Sequence, residues 1–408
     1  MLIINRCGWV RFDVAVSHCR PLSTPQPAAR PVVYFPVAHP YDMKASGVVY
    51  LVLTAVLFIH FLRYNNYTTD TVEFVGNVVA LRVSDPVAIR DLAYRAVTTE
   101  APAMVVPHIL GTDLATEEAA VRRAKHADPY RFAQFLPYFS VKPLYIEALN
   151  LVHRTGVGLV RSIAVVSAVS FAGMAALIYW WVLKLGGSLW VACVVLLTPE
   201  MSTLAQGTGP DGLSVLFLLG GLFSLWYVRP SVGVTLLLLS AWVRPENAIF
   251  CIVALAYLAA KGELRAWMAV VLIGISALTP MAINHFGGYG WKALYSHTFK
   301  FTEMDPGMFV PIFTVSDYLH ALRSGVREAL HSSLIAYLLL WVVALRLVPR
   351  MRWPLLLCGL FSVAKFVIYP NFEPRYYGLL YLATAIGTCA TVRSKVASHG
   401  VTTSLASS

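Results

Sequence analysis

Apolar residues run along this chain in long blocks, not in the strict alternation of a half-buried strand. Ten blocks occupy residues 46–63, 156–183, 188–205, 211–228, 231–243, 247–260, 266–284, 333–348, 353–369 and 376–392. A helix rises about 1.5 Å per residue, so about twenty apolar residues cross a hydrocarbon core and roughly seventeen are tolerated. The pattern predicts an all-α polytopic membrane protein with ten transmembrane helices. The fifth and sixth blocks are short and flank RPEN (244–247); we read them as two spans pinched at that point, not as one re-entrant pair.

The polar intervals set the orientation. With the N-terminus inside, the inner connections carry Lys184, Arg229, Lys261 with Arg265, Arg346 with Arg350 and Arg352, and Arg393 with Lys395. The short outer connections hold only Arg244 and Arg375, each two residues from a glutamate. This is the positive-inside bias, and it places both termini in the cytoplasm. Two outer intervals, 64–155 and 285–332, are too long for simple turns, and such segments are usually functional or separately folded. Within the first, DPVAIRDLAYRAV (85–97) and TEEAAVRRAKHA (116–127) are amphipathic and predict short helices lying on the membrane surface.

Residues 1–43 include RPLSTPQPAARP and contain no continuous apolar stretch of the signal-peptide kind. They read as a disordered cytoplasmic tail, and residues 396–408 as a second tail. Met43-Lys44-Ala45, directly before the first block, reads as the true start of the chain.

Composition agrees with the hydropathy. Hydrophobic residues make up 58% of the chain and charged residues 13%, against roughly 25% charged in soluble domains. The net charge of +11 is spread over connections with no Lys/Arg-rich block, so it argues for membrane sidedness and against a nucleic-acid partner. The cysteines, Cys7, Cys19, Cys193, Cys251, Cys358 and Cys389, lie in the tail or in apolar blocks and form no CxxC pair. Neither a disulfide framework nor structural zinc is expected.

Sorting the costly residues by side reveals an asymmetry. The outer side holds Asp70 and Glu73 in TTDTVEF, Glu200 and Asp211 around TPEMSTLAQGTGPDG, Arg244 and Glu246 in WVRPEN, and Glu373 and Arg375 in NFEPRYY. Beyond its positive charges, the inner side offers little except Glu263. Ionisable groups at a membrane edge mark function by default. The Arg-Pro-Glu and Glu-Pro-Arg turns, each stiffened by proline, suit a preorganised anion clamp. Lys365, inside the ninth block, is expected to snorkel toward the outer interface and not to touch substrate.

With these residues in place, the chain resembles polytopic glycosyltransferases of the GT-C superfamily, over about residues 46–392. It is similar to bacterial relatives of the protein O-mannosyltransferases and the lipid A aminoarabinose transferases. Asp70 matches the acidic position after the first span; the second acid common there stands three residues on, at Glu73. Asp211 resembles the polar start of the fourth span, and Arg244-Pro245-Glu246 a recurring turn. Glu373-Pro374-Arg375-Tyr376 resembles a late E-x-R-Y element, and FLPYFSVKPLYIEAL (135–149) the segment that supplies Lys142.

The resemblance implies a transmembrane glycosyltransferase domain over residues 44–395, in a bacterial plasma membrane, with its site facing the periplasm or exterior. The donor would be a polyprenyl-phosphate sugar and the acceptor a lipid, glycan or protein hydroxyl. Breaking the anomeric C–O bond leaves charge on phosphate, which Arg375, Arg244 and Lys142 would stabilise. Asp70, with Glu73 as understudy, would take the acceptor proton, and one base with direct attack implies inversion. Glu373, Glu246, Asp211, Glu200 and Tyr376 would orient these groups or bind acceptor. No cofactor is expected, and a divalent ion between Asp70 and Asp211 is the less favoured arrangement.

Tyr67, Tyr130, Tyr138, Phe139, Tyr145, Tyr289, Trp291 and Tyr377 read mainly as interfacial belt residues, and His285, His297, His320 and His331 as solvated or satisfied histidines. The rival class is a polytopic transporter or lipid-linked sugar flippase, which would show repeats and polar groups toward both faces.

Overall fold

The structure, a computed structural model, describes residues 3–4, 10–11, 40–113, 115–300 and 314–405. The expected N-terminal tail lies outside the described residues, except for a two-residue antiparallel pair, Ile3–Ile4 with Val10–Arg11, and the start of the first helix at Pro40. Cys7, Cys19 and the side chains of Trp291, His297, Arg393 and Lys395 also lie outside them. Everything else is helix and connection.

Each of the ten apolar blocks is helical, but their lengths differ. Ala45–Arg63, Leu159–Leu185, Ala266–His285 and Pro349–Ile368 are each long and apolar enough to cross a membrane alone. Two bent pairs, Leu189–Leu196 with Pro199–Gln206 (54°) and Val315–Leu330 with Leu334–Leu347 (73°), raise the number to six. Asp211–Tyr227, Pro230–Val243 and Pro245–Ala260 are shorter. The cause is proline: Pro199, Pro230 and Pro245 each open a helix, where a missing N–H costs nothing, and so cut the apolar run into pieces. The 14 residues of Pro230–Val243 rise about 21 Å, short of a core of roughly 30 Å. The last helix runs from Gly378 to Leu405, beyond the expected boundary at 392.

Exposed apolar faces support a lipid environment. The first helix presents Val48, Leu51, Val52, Val56 and Ile59, and the helix Ala266–Gly287 presents Trp267, Val270, Val271, Ile275 and Leu278. Both sets follow the three-to-four spacing of one helix face, and stripes of this extent are not left to water. The chain is an all-α membrane protein.

At the centre of the bundle, Asp211–Tyr227 and Pro230–Val243 form an antiparallel hairpin. Gly233 allows it: a Cβ there would lie 2.8 Å from the backbone nitrogen of Leu225. The hairpin packs on Leu159–Leu185 through a core that includes Phe171, Met174, Trp181, Leu219 and Leu222.

The interval 64–155 folds into a layer of helices, Asp70–Ala80, Pro86–Glu100, Val106–Leu110, Glu117–Ala127, Pro129–Phe135, Pro137–Ser140 and Pro143–Arg154. It has its own core around Phe74, Val78, Ala93, Phe132 and Tyr145. Both amphipathic stretches are helices here, the first N-capped by Asp85 and the second by Thr116. The Glu100 carboxylate accepts from the backbone nitrogens of Leu159 (3.1 Å), Val160 (3.0 Å) and Arg161 (3.3 Å), and so caps the 27-residue helix below. Inside the layer, Lys125 forms an ion pair with the buried Glu73.

Burial pushes the Glu73 carboxyl above its usual range, and Lys125 opposes the shift. Removing one partner of a buried pair strands the other, at a cost of roughly 3–5 kcal/mol. Lys125→Met should therefore lower the unfolding temperature in detergent by several degrees, and Glu73→Gln added to it should recover most of the loss. An unchanged melting curve for Lys125→Met would remove this pair from the layer's stability.

Candidate functional site

The site begins at the open end of the central hairpin. Asp211 is the first residue of its helix, where a carboxylate complements the helix dipole. Arg244 follows the last residue of the returning helix in extended backbone, and the Asn247 amide donates to Ser214 Oγ (2.7 Å) and to the Ser240 carbonyl (3.0 Å), which fixes the turn. The two ends therefore meet: Arg244 Nη2 lies 2.9 Å from Asp211 Oδ1, with both side chains buried. Arg244 Nη1 donates to Glu246 Oε1 at 2.8 Å.

The segment after Ile368 brings the second half. Pro374–Tyr377 forms a 3₁₀ turn. Arg375 pairs with Glu373, and its Nε lies 3.9 Å from Asp211 Oδ2. Lys365 Nζ, one helical turn before Tyr369, donates to the Tyr376 carbonyl (3.2 Å) and sits 3.7 Å from Glu246 Oε1. The Tyr376 ring stands among the cations, with Arg244 at 4.8 Å, Lys365 at 5.0 Å and Arg375 at 5.2 Å from its centroid. Burial works against the charge on Arg244, but Asp211 and Glu246 outweigh it and hold the guanidinium more firmly protonated than usual.

The helical layer of residues 64–155 supplies the third part. Backbone and amide bonds join Asn66 to Gln206, and the Tyr145 hydroxyl donates to the Thr208 carbonyl at 2.8 Å. These ties hold the segment before Asp70 beside the segment before Asp211. Lys142 Nζ lies 5.0 Å from the Phe74 ring and 4.9 Å from the Phe139 ring. Burial pushes the Lys142 ammonium down to about 8 and the charge of Arg244 adds to this, against the pull of Asp70, Glu246 and Asp211. No carboxylate lies within ion-pair distance of Lys142 among the described residues.

Beside this cluster, and sharing Tyr376 and Glu373 with it, opens a cleft of about 620 Å³. Asp70, Glu373, Asn371, Tyr369 and Tyr376 line one side. Along Val315–Leu330, Asp317, His320, Ala321, Ser324, Gly325 and Glu328 form the facing wall at helical spacing. Gly325 sets the wall's distance: a Cβ there would come within 2.4 Å of the Pro370 carbonyl oxygen.

Asp70, Asp211, Arg244, Glu246, Glu373, Arg375, Tyr376 and Lys142 are thus brought together. Two expected members are not. Glu73, three residues after Asp70, turns into the layer toward Lys125. Glu200 is held elsewhere, accepting from Ser333 Oγ (3.1 Å) and the Tyr337 hydroxyl (2.8 Å), because its helix starts just after the bend at Thr198 and faces Leu334–Leu347. Lys365, expected at the lipid–water interface, is instead buried within the cluster. The signal for it was its place in the last helical turn before NFEPRYY. The wall residues His320 and Ser324 carried no such signal.

If the ring face of Tyr376 holds the cations, Tyr376→Phe should leave the unfolding temperature within about a degree, whereas Tyr376→Leu should cost about 2 kcal/mol across the three contacts. Equal melting of both variants would assign the role to the hydroxyl or to neither. Comparison of the chain with protein-family models, curated proteins and solved structures finds no match.

Proposed function

We propose that this chain is an inverting glycosyltransferase of the GT-C type. It would move a sugar from a polyprenyl-phosphate donor to an acceptor hydroxyl at the outer face of a bacterial plasma membrane. The reading takes all ten helical segments as crossing, with both termini cytoplasmic. One observation carries it: the Asp70 carboxylate lines a cleft whose Tyr376 ring also meets Arg244, Lys365 and Arg375, with Lys142 within electrostatic reach of Asp70.

The donor's tail lies in lipid along the exposed apolar helix faces, and its phosphate reaches these cations. The acceptor oxygen attacks the anomeric carbon, Asp70 takes the hydroxyl proton, and the bonding pair of the C–O bond leaves with the phosphate. Attack opposite the leaving group inverts the centre. Cations fixed beforehand stabilise the phosphate charge without reorganising.

Counting charges ranks the cations. Asp211, Glu246 and Glu373 already pair with Arg244, Lys365 and Arg375. Lys142 is the cation without such a partner, so an arriving phosphate gains most from it. Arg244 and Arg375 keep further donors for the phosphate oxygens, and the buried Nε of Arg244 has no hydrogen-bond partner in the cluster.

Transport is the second reading, favoured by the buried Glu200 where two bent helix pairs meet. Incubating purified protein with radiolabelled polyprenyl-phosphate sugars and a membrane extract separates the two, since transport leaves the sugar on its lipid.

In that assay Asp70→Asn should lower transfer by at least 10²-fold with the melting curve intact, and Glu73→Gln combined with Lys125→Met should keep it. Turnover surviving in Asp70→Asn would move the base elsewhere. Arg375→Ala should weaken donor binding on the order of tenfold, and unchanged affinity would remove its role. Lys142 is charged below about 8 and neutral above it, so donor affinity should fall as pH rises through that value. Lys142→Arg should abolish the fall; a fall that persists in this variant assigns the titration to another group.

A further inference from the structure

A second recess lies in the helical layer of residues 64–155, away from the cleft. It measures about 380 Å³ and runs between Asp70–Ala80, Pro86–Glu100 and Pro143–Arg154. Its bed is aliphatic, formed by Val79, Val83 and Leu92, and it is closed by Leu159. Leu159 opens a 27-residue helix that is long and apolar enough to cross a membrane, so the recess lies at the end of that helix. Arg82 and Arg95 line it as well, both exposed.

The charge here is not neutralised. Arg82 Nη2 donates to the neutral Asn150 Oδ1 at 2.8 Å, which aims the guanidinium without satisfying its charge. Arg95 has no carboxylate within ion-pair distance among the described residues. Among the acids of the surrounding elements, Asp85 caps its helix, Asp91 pairs with Arg90 at 2.7 Å, Glu100 caps Leu159–Leu185, Glu147 accepts from Asn150 at 3.1 Å, Glu73 pairs with Lys125, and Asp70 lines the cleft instead.

An aliphatic bed opening at a membrane boundary beneath two uncompensated guanidiniums is complementary to one kind of molecule. We propose that this recess binds an anionic phospholipid, with the acyl chain along Val79, Val83 and Leu92 and the headgroup phosphate on Arg82 and Arg95. The site is separate from the cleft, and its lipid is a bound component, not a substrate. It would fix the layer's height above the bilayer, since the headgroup lies at a set depth.

Full-length protein in detergent, equilibrated in turn with phosphatidylglycerol, phosphatidylcholine and inorganic phosphate, tests this by native mass spectrometry. The wild-type protein should retain phosphatidylglycerol over phosphatidylcholine by roughly 25-fold, each of the two arginines near the headgroup contributing about fivefold. Arg82→Ala with Arg95→Ala should reduce phosphatidylglycerol to the phosphatidylcholine level, and Leu92→Trp should displace it with both arginines in place. Arg375→Ala should retain it, which separates this site from the donor site and from the glycosyltransferase reading. Melting curves report folding of each variant. Equal retention of the two lipids, or undiminished phosphatidylglycerol in the double arginine variant, would overturn the proposal. So would displacement of the lipid by millimolar phosphate with Leu92→Trp still binding, which would mark a simple anion site.

Discussion

The buried ion pair between Asp211 and Arg244 is the constraint on which the rest of this structure depends. Taking each charge out of water costs several kcal/mol, and their attraction repays it only when geometry is good and the remaining polar atoms find partners. Here the geometry comes from a helical hairpin closed tightly at Gly233, so the two residues, distant in sequence, meet at its open end. Their spare valences then recruit the neighbours: Asp211 also reaches Arg375, and Arg244 reaches Glu246 and, through it, Lys365. The cluster is a network, and a network of this kind is rigid because no member can leave alone.

That rigidity serves positioning. The layer carrying Asp70 and Lys142 is joined to the bundle by polar ties at Asn66 and Thr208, a few residues from Asp211. The segment carrying Arg375 is held from the other side by Lys365 and by the Tyr369 hydroxyl, which donates to Thr298 Oγ1 at 2.7 Å. Two independent pieces of chain are therefore registered against one pair of buried charges. The cleft is the space left between them.

Much of this was legible in the sequence because hydropathy reports depth. Asp211, Arg244, Glu373 and Arg375 all end apolar blocks on one side, and the fold gathers them. What hydropathy does not report is direction around a helix axis. Glu73 follows Asp70 by three residues, about 60° short of a full turn and some 4.5 Å farther along the axis, and that offset delivers it to Lys125. Glu200 lies just after a bend, so its side chain addresses a different helix from Asp211's. Lys365 failed the other way: a lysine in an apolar block reads as an interfacial anchor, and only the turn eleven residues later supplies the carbonyl that draws it inward. Helix length was less legible than helix position, since apolar content measures how much chain lipid will accept and says nothing of where proline breaks the rod.

The cap that Glu100 places on Leu159–Leu185 bears on biogenesis. Those backbone N–H groups exist as an acceptor-hungry terminus only after the segment has coiled, and the carboxylate that meets them comes from chain synthesised earlier. Residues 64–155 therefore gain this contact only once the next apolar segment has coiled. The layer's final docking is thus tied to the coiling of Leu159–Leu185, and the two mature together.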